Sequence, residues 1–177
     1  MTLPRNWPND IIWITQYSFH ASVDTESREF IGKTSRNSKP NGLFAIQKIK
    51  DSGHPAHGQY GLFAAKKIPA NTDIIDYLGE VHAEDRISDY DLSLARIQEK
   101  SIGIDASKKG NEARFVNDYR GIREKPNAIF ADGRHHDGQL RMSIRSSHEG
   151  IKKGEEILVS YGKAWWRARI DLESVNQ

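Results

Sequence analysis

The polar residues best placed for chemistry lie in one stretch, IDASKKGNEARFVNDYRGIREKPN, running from Ile104 to Asn127. It opens like a short strand at Ile102 to Asp105, turns at Gly110-Asn111, packs Phe115 and Val116, and aims Asn117 elsewhere. A Pro126-Asn127 pair closes it. Asn, Asp and Gly crowd into positions that turn backbone amides and carbonyls toward something other than a ladder. Read alone, the stretch is an elaborate loop of a β-rich domain. Two histidine pairs, His54/His57 and His135/His136, raise the question of a metal. Neither is accompanied by acids in helical register, and the chain has no cysteine, so no metal site is expected. The lack of cysteine also removes disulfides, thiol catalysis and cysteine-ligated zinc.

The elements that must position these residues come from a chain of 177 residues, long enough for one domain with a sizeable core. A net charge of +2 gives no general affinity for nucleic acid, and the basic segment from Lys33 to Lys50 reads as a solvated loop. The longest apolar run near the start, Ile11 to Ile14, is far short of a membrane span. The N-terminus also lacks the layout of a secretory signal. A soluble intracellular domain, without membrane or specific nucleic-acid partners, is the expectation.

Residues 1–42 read as an N-terminal flank, in which Trp7 and Ile11 to Ile14 pair at a sheet edge or cap the core, and Glu29 to Asn41 is loop. Strand signals become dense from Leu43. They cover Leu43 to Ile49, Gly61 to Ile68, Ile74 to Tyr77, Leu78 to His82, Ala128 to Ala131, Leu140 to Arg145 and Ile157 to Tyr161, with a hairpin loop at Gly133 to Gly138. Glu84 to Glu99 is expected to be helical, because Ile87, Leu94 and Ile97 fall near helical spacing. Ile68 to Ile74 and Ile151 to Ile157 share a spacing that puts Asn71 and Gly154 where a tight turn needs positive φ.

Three ordered stretches resemble the SET-domain protein lysine methyltransferases. The first is Gly58-Gln-Tyr-Gly61-Leu-Phe-Ala64 with Tyr77-Leu-Gly79-Glu80-Val81. The second is Ile104-Asp105-Ala106, Gly110-Asn111, Arg114-Phe115-Val116-Asn117 and Pro126-Asn127. The third is Gly154-Glu-Glu-Ile-Leu-Val-Ser-Tyr161-Gly162. The resemblance implies a mainly β fold with a few short helices. This is the SET (β-clip) arrangement of small antiparallel sheets with a knot-like C-terminal crossing, which runs against the general avoidance of threaded chains. It spans residues 43–166, with a variable insertion at about 83–101 and a tail at 167–177. The crossing would bring Asn117 and Tyr161 together.

The activity implied is transfer of a methyl group from S-adenosyl-L-methionine to a neutral lysine on a protein or peptide substrate, a histone tail or another basic segment, in the nucleus where the substrate is histone. Tyr161 matches the family's catalytic tyrosine, and Tyr90 a second tyrosine of the lysine channel. Gly58, Tyr60 and Gly61 match the first cofactor loop. Asn117 would bond the cofactor's amino-acid end, Asp118 would offer backbone groups to its adenine, and Arg114 would brace the crossing. Trp165 and Trp166 would cover the adenine or wall the channel. Glu80, Glu84, Asp85, Asp89 and Asp91 form an acidic rim suited to a basic tail.

The chain departs from the family at Asp118-Tyr119-Arg120, where His-Ser-Cys is usual, at Pro126, which comes about four residues late, and at Val159, where many members place Phe or Tyr. The competing reading is a SET-fold module without catalysis that binds peptides or scaffolds a complex. Asp118 and the longer loop favour it; Tyr161, Asn117 and the two glycines oppose it.

Overall fold

A computed structural model describes residues 2–33, 42–163, 165 and 166. The strands are β1 (Ile12–Trp13), β2 (Ser18–Phe19), β3 (Phe44–Lys48), β4 (Tyr60–Ala64), β5 (Asp73–Asp76), β6 (Glu80–His82), β7 (Asp91–Ile97), β8 (Lys100–Asp105), β9 (Lys109–Gly110), β10 (Asn117–Asp118), β11 (Ala128–Arg134), β12 (Leu140–Ser146) and β13 (Leu158–Val159). The helix α1 (Thr25–Ile31) precedes β3, and a 3₁₀ turn (Glu112–Phe115) precedes β10. The strands form five small sheets: β2-β6-β8-β7, β11-β12-β5, β3-β4, β1-β9 and β10-β13. The larger pairings are antiparallel, while β1-β9, β2-β6 and β10-β13 are short parallel contacts. Leu62, Ile68, Ile74, Val81, Ile102, Ile104, Ile144, Ile157, Leu158 and Val159 are buried where these sheets meet.

The helix expected over Glu84 to Glu99 is not formed. Asp91–Ile97 is a strand, paired antiparallel with β8 from Asp91↔Asp105 to Ile97↔Lys100. Ile87, part of the helical spacing, is 97% exposed and packs nothing. The alternation that does act is Leu92 and Leu94, which a bulge between Ser93 and Ala95 then shifts. The start of the expected loop at Glu29 is instead the last turn of α1, whose N-cap Asp24 accepts the Ser27 amide at 2.8 Å. Residues 34–41 of that loop lie outside the described residues. The sheet-edge reading of the N-terminal apolar run holds: Ile12 and Trp13 pair with Lys109 and Gly110. Trp7 caps the core edge-on to Phe115 at 5.6 Å. Asn71 (φ 53°) and Gly154 (φ 87°) both take the left-handed backbone their shared spacing requires.

Two buried asparagines tie separate segments by imitating a strand. Asn111 accepts from the Leu78 amide at 3.1 Å and donates to the Asp76 carbonyl at 2.8 Å. Asn127 accepts from the Leu158 amide and donates to the Glu156 carbonyl, both at 2.8 Å. Each fills the hydrogen-bonding slots of backbone that has no ladder partner there.

Gly79 lies where β6 meets β8. A Cβ there would sit 2.5 Å from the Asp105 carbonyl oxygen and 2.7 Å from its carbon, backbone atoms that cannot swing aside. Gly79→Ala is expected to destabilise the fold by about 2–3 kcal/mol or more. Chemical denaturation checks this; an unchanged midpoint would contradict so close an approach.

Candidate active site

The C-terminal crossing is built by β10 and β13, which pair in parallel, Asn117↔Leu158 and Asp118↔Val159. The Tyr119 amide continues the contact by donating to the Val159 carbonyl at 2.9 Å. Residues 41 positions apart in sequence are thereby joined. The Tyr161 amide donates to Asp118 Oδ2 at 2.8 Å, and the Tyr161 hydroxyl donates to the Val116 carbonyl at 2.8 Å. Burial pushes that hydroxyl well above the ordinary tyrosine value, and the Asp118 charge adds to the effect. Tyr161 is therefore a neutral phenol with its proton committed to Val116, and its oxygen lone pairs are what it can offer a ligand.

A cleft of about 720 Å³ opens beside this crossing. The segment His54 to Tyr60 forms one side and Asn117, Asp118 and Arg120 the floor, with Tyr161, Trp165 and Trp166 as an aromatic wall. Tyr161 and Trp165 have ring centroids 4.8 Å apart, and Trp165 and Trp166 5.1 Å. Gly58 adopts φ 81°, so its place in the His54-Tyr60 side rests on conformation. Gly61 rests on space: a Cβ there would overlap Glu156 Oε1. Gly61 and Tyr60 belong to β4; Tyr60 lines the cleft, and its ring meets Phe115 edge-on at 6.2 Å. The long loop after Asp118 packs back onto this side, with a Cβ on Gly121 falling 2.7 Å from Pro55 Cγ.

Glu156 orients Asn117. Asn117 Nδ2 donates to Glu156 Oε1 at 2.7 Å and sits 3.4 Å from the Tyr60 carbonyl. Both neighbours are acceptors, so the amide can only be placed this way round, and its carbonyl oxygen remains for the cleft. Glu156 is held in turn by His54 Nε2 at 2.8 Å, both side chains 7% exposed. The Ala56 amide donates to His54 Nδ1 at 3.0 Å, which fixes the proton on Nε2. His54 thus bonds a carboxylate, and so does His135, whose Nε2 meets Asp76 Oδ2 at 2.8 Å. Among the described residues, no group of three His, Asp or Glu is placed to hold a metal.

A second, narrow space of about 30 Å³ is lined by Tyr77, Asp89, Tyr90, Leu92, Arg114, Val116, Phe130, Tyr161 and Trp165. Tyr161, Tyr90, Trp165, Arg114 and Asp89 also line the larger cleft, so the two spaces share a wall. Tyr90 follows the Ser88 turn into β7; its carbonyl accepts from the Tyr77 hydroxyl at 2.8 Å and from the Ala106 amide at 3.1 Å. The Arg114 guanidinium lies 4.2 Å over the Tyr90 ring while its Nε donates to the Ala106 carbonyl at 2.9 Å. Burial holds the Tyr77 hydroxyl well above its ordinary value, so it too stays protonated. Val159 is fully buried in the crossing and lines neither space; Tyr77 and Phe130 bound the narrow one.

The structure therefore brings Gly58, Tyr60, Asn117, Asp118, Tyr90, Tyr161 and Trp165 to one pair of connected spaces, with Gly61 just behind. Sequence reasoning missed Glu156, His54, Tyr77 and Phe130 as site residues. Glu156 and Tyr77 stand inside the recognised stretches, and their burial beside polar groups was the absent information. The acidic rim is largely neutralised by its own neighbours. Glu80 pairs with Lys109 and Arg86, Glu84 with Arg86, and Asp91 with His82. Hydrogen bonding from Lys109 holds the Glu80 carboxyl below its usual range.

The SET domain family model matches residues 59–162, and the chain belongs to that family. The Candida albicans histone-lysine N-methyltransferase specific for H3 lysine 36 is 36% identical over 111 residues, covering 58% of this chain and 12% of that protein. The Schizosaccharomyces pombe enzyme specific for H3 lysine 4 is 34% identical over 131 residues, covering 68% and 14%. The chain thus spans about one-seventh or less of the length of these relatives. Among solved structures, ATXR5 in complex with a mono-methylated histone H3.1 superposes with a TM-score of 0.62 over 87% of this chain and 82% of that one. Its identity of 18% makes the likeness one of fold.

Proposed function

We propose that this chain is a protein lysine N-methyltransferase that uses S-adenosylmethionine and acts on a histone tail. The observation that carries this is the position of Tyr161 in the wall shared by a cofactor-sized cleft and a narrow channel, with its hydroxyl oriented by the Val116 carbonyl. A volume of about 720 Å³ falls in the range of small-molecule sites. Its donor set fits the proposed cofactor: an outward Asn117 carbonyl for an ammonium and aromatic rings for a purine. When bound, S-adenosylmethionine supplies an electrophilic methyl carbon on a sulfonium.

The chain's own residues then have three tasks. Asn117, Tyr60 and the backbone at Gly58 hold the cofactor end of the cleft. Tyr90, Tyr77, Leu92 and Phe130 confine the lysine stem and exclude water from the channel. Tyr161 orients the amine through its oxygen lone pairs. It does not act as a base, because a phenol held this far above its ordinary value surrenders no proton near pH 8. Loss of the lysine proton falls instead to the environment. Asp89, exposed at the rim, attracts an incoming ammonium, while desolvation and the buried Arg114 cation disfavour it farther in.

The histone substrate rests on what the relatives are named for and on acids such as Asp85 and Asp89 at the exposed rim. It implies work in the nucleus. A non-catalytic peptide-binding module would have no use for an oriented Tyr161 at the junction of two spaces. Labelled S-adenosylmethionine incubated with core histones and, separately, with a mixed cell lysate tests the proposal. Label on histone lysine is expected. Label confined to a lysate protein would discard the histone assignment, and cofactor binding without transfer to either would support the non-catalytic module.

A further inference from the structure

Asp118 stands where the family usually has histidine, and its surroundings require an acid. Oδ1 accepts the Arg120 amide at 2.9 Å. Oδ2 accepts the Tyr161 amide at 2.8 Å, Arg120 Nη1 at 2.7 Å and Trp166 Nε1 at 3.3 Å. Four donors converge on a side chain that is 6% exposed. A carboxylate accepts on both oxygens and donates from neither. An asparagine amide or a histidine ring in the same place would turn an N–H toward one of these donors, leaving buried groups unsatisfied.

The anchored groups are the cleft's wall. Trp166 meets Trp165 edge-on, and Trp165 lies tilted against Tyr161, while the Arg120 guanidinium lies 5.5 Å over the Trp166 ring and 5.0 Å over Tyr119. Tyr161, Trp165, Trp166 and Arg120 all line the 720 Å³ cleft. We propose that Asp118 is the positioning residue that closes the cofactor cleft, by pinning the Tyr161-Trp165-Trp166 wall and Arg120 to the crossing. The substitution of acid for histidine and the aromatic pair after Gly162 are then one device. Its two parts lie 48 residues apart at Asp118 and Trp166. This inference rests on the reading of the cleft as the cofactor site.

The test is calorimetric titration of S-adenosylhomocysteine into wild type, Asp118→Asn, Asp118→His and Trp166→Phe, with thermal unfolding of each and KM for S-adenosylmethionine against kcat. The two Asp118 variants are expected to bind at least tenfold more weakly. Trp166→Phe, which removes one bond and keeps an aromatic ring, should lose about threefold. KM for the cofactor should rise while KM for the histone substrate stays unchanged. Wild-type affinity in Asp118→Asn, or in Asp118→His, would overturn the proposal. Should neither Asp118 variant fold, Trp166→Phe and Arg120→Met decide it, and undiminished affinity in both would overturn it. A wild-type protein that does not bind S-adenosylhomocysteine would remove the reading of the cleft and this inference together; binding by wild type with no change in the variants would remove only the inference.

Discussion

Tyr161→Phe is expected to lower kcat by about 100-fold, a loss of about 2.7 kcal/mol in transition-state stabilisation. The variant deletes one oxygen. The ring keeps its contact with Trp165, and the Tyr161 amide keeps its bond to Asp118, so the cleft wall stays in place. Affinity for S-adenosylhomocysteine should therefore stay within about threefold of wild type. The Val116 carbonyl loses its donor, which costs stability about 1 kcal/mol. The diagnostic pattern is a fall in kcat with cofactor binding preserved, because the hydroxyl acts on the amine and not on the cofactor's retention. Steady-state kinetics beside calorimetry read both quantities. A kcat within threefold of wild type would mean that the hydroxyl at the shared wall is not where transfer occurs.

Asn117→Asp should weaken cofactor binding at least tenfold, although it places more negative charge where an ammonium is to be held. Simple charge counting predicts the opposite. The difference lies behind the residue, where Nδ2 donates to Glu156 Oε1 at 2.7 Å and faces the Tyr60 carbonyl. A carboxylate there faces two acceptors, one of them a buried acid, and repulsion will turn the side chain out of the position the cleft needs. Glu156 is fixed by His54 and hemmed by Gly61, so it has no room to retreat. Titration of S-adenosylhomocysteine into the variant at pH 8 measures the effect. Tighter binding would show that Asn117 contributes only its carbonyl and that its attachment to Glu156 is incidental.

The fold class and the gathering of Gly58, Asn117 and Tyr161 beside one cleft were legible in the sequence, while the course of one strand and the partners behind the cleft were not. Gly58, Asn117 and Tyr161 sit in stretches whose residue types are dictated locally, by a left-handed turn, a short parallel contact and a tyrosine next to Gly162. Asp91–Ile97 was not legible. Its alternation is broken by a bulge, and the hairpin to β8 turns at Gln98 with φ 53°, a conformation usually advertised by Gly or Asn. With no turn signal, Leu94 and Ile97 fell into a helical spacing by coincidence. His54 and Glu156 were hidden differently. They are 102 residues apart, and only the folded chain shows that a loop histidine and a buried acid share one hydrogen bond. Asp118 was visible as a departure, but its meaning needed the four donors around it.

The most direct test of the account is a crystal structure of the protein with S-adenosylhomocysteine. The ligand is predicted in the cleft bounded by His54 to Tyr60, Asn117 and Trp165-Trp166, with its amino-acid end at the Asn117 carbonyl and its sulfur toward Tyr161. A ligand found instead in the separate charged cleft lined by Glu80, Arg86, Asp105 and Lys109, or lying away from Tyr161, would contradict it.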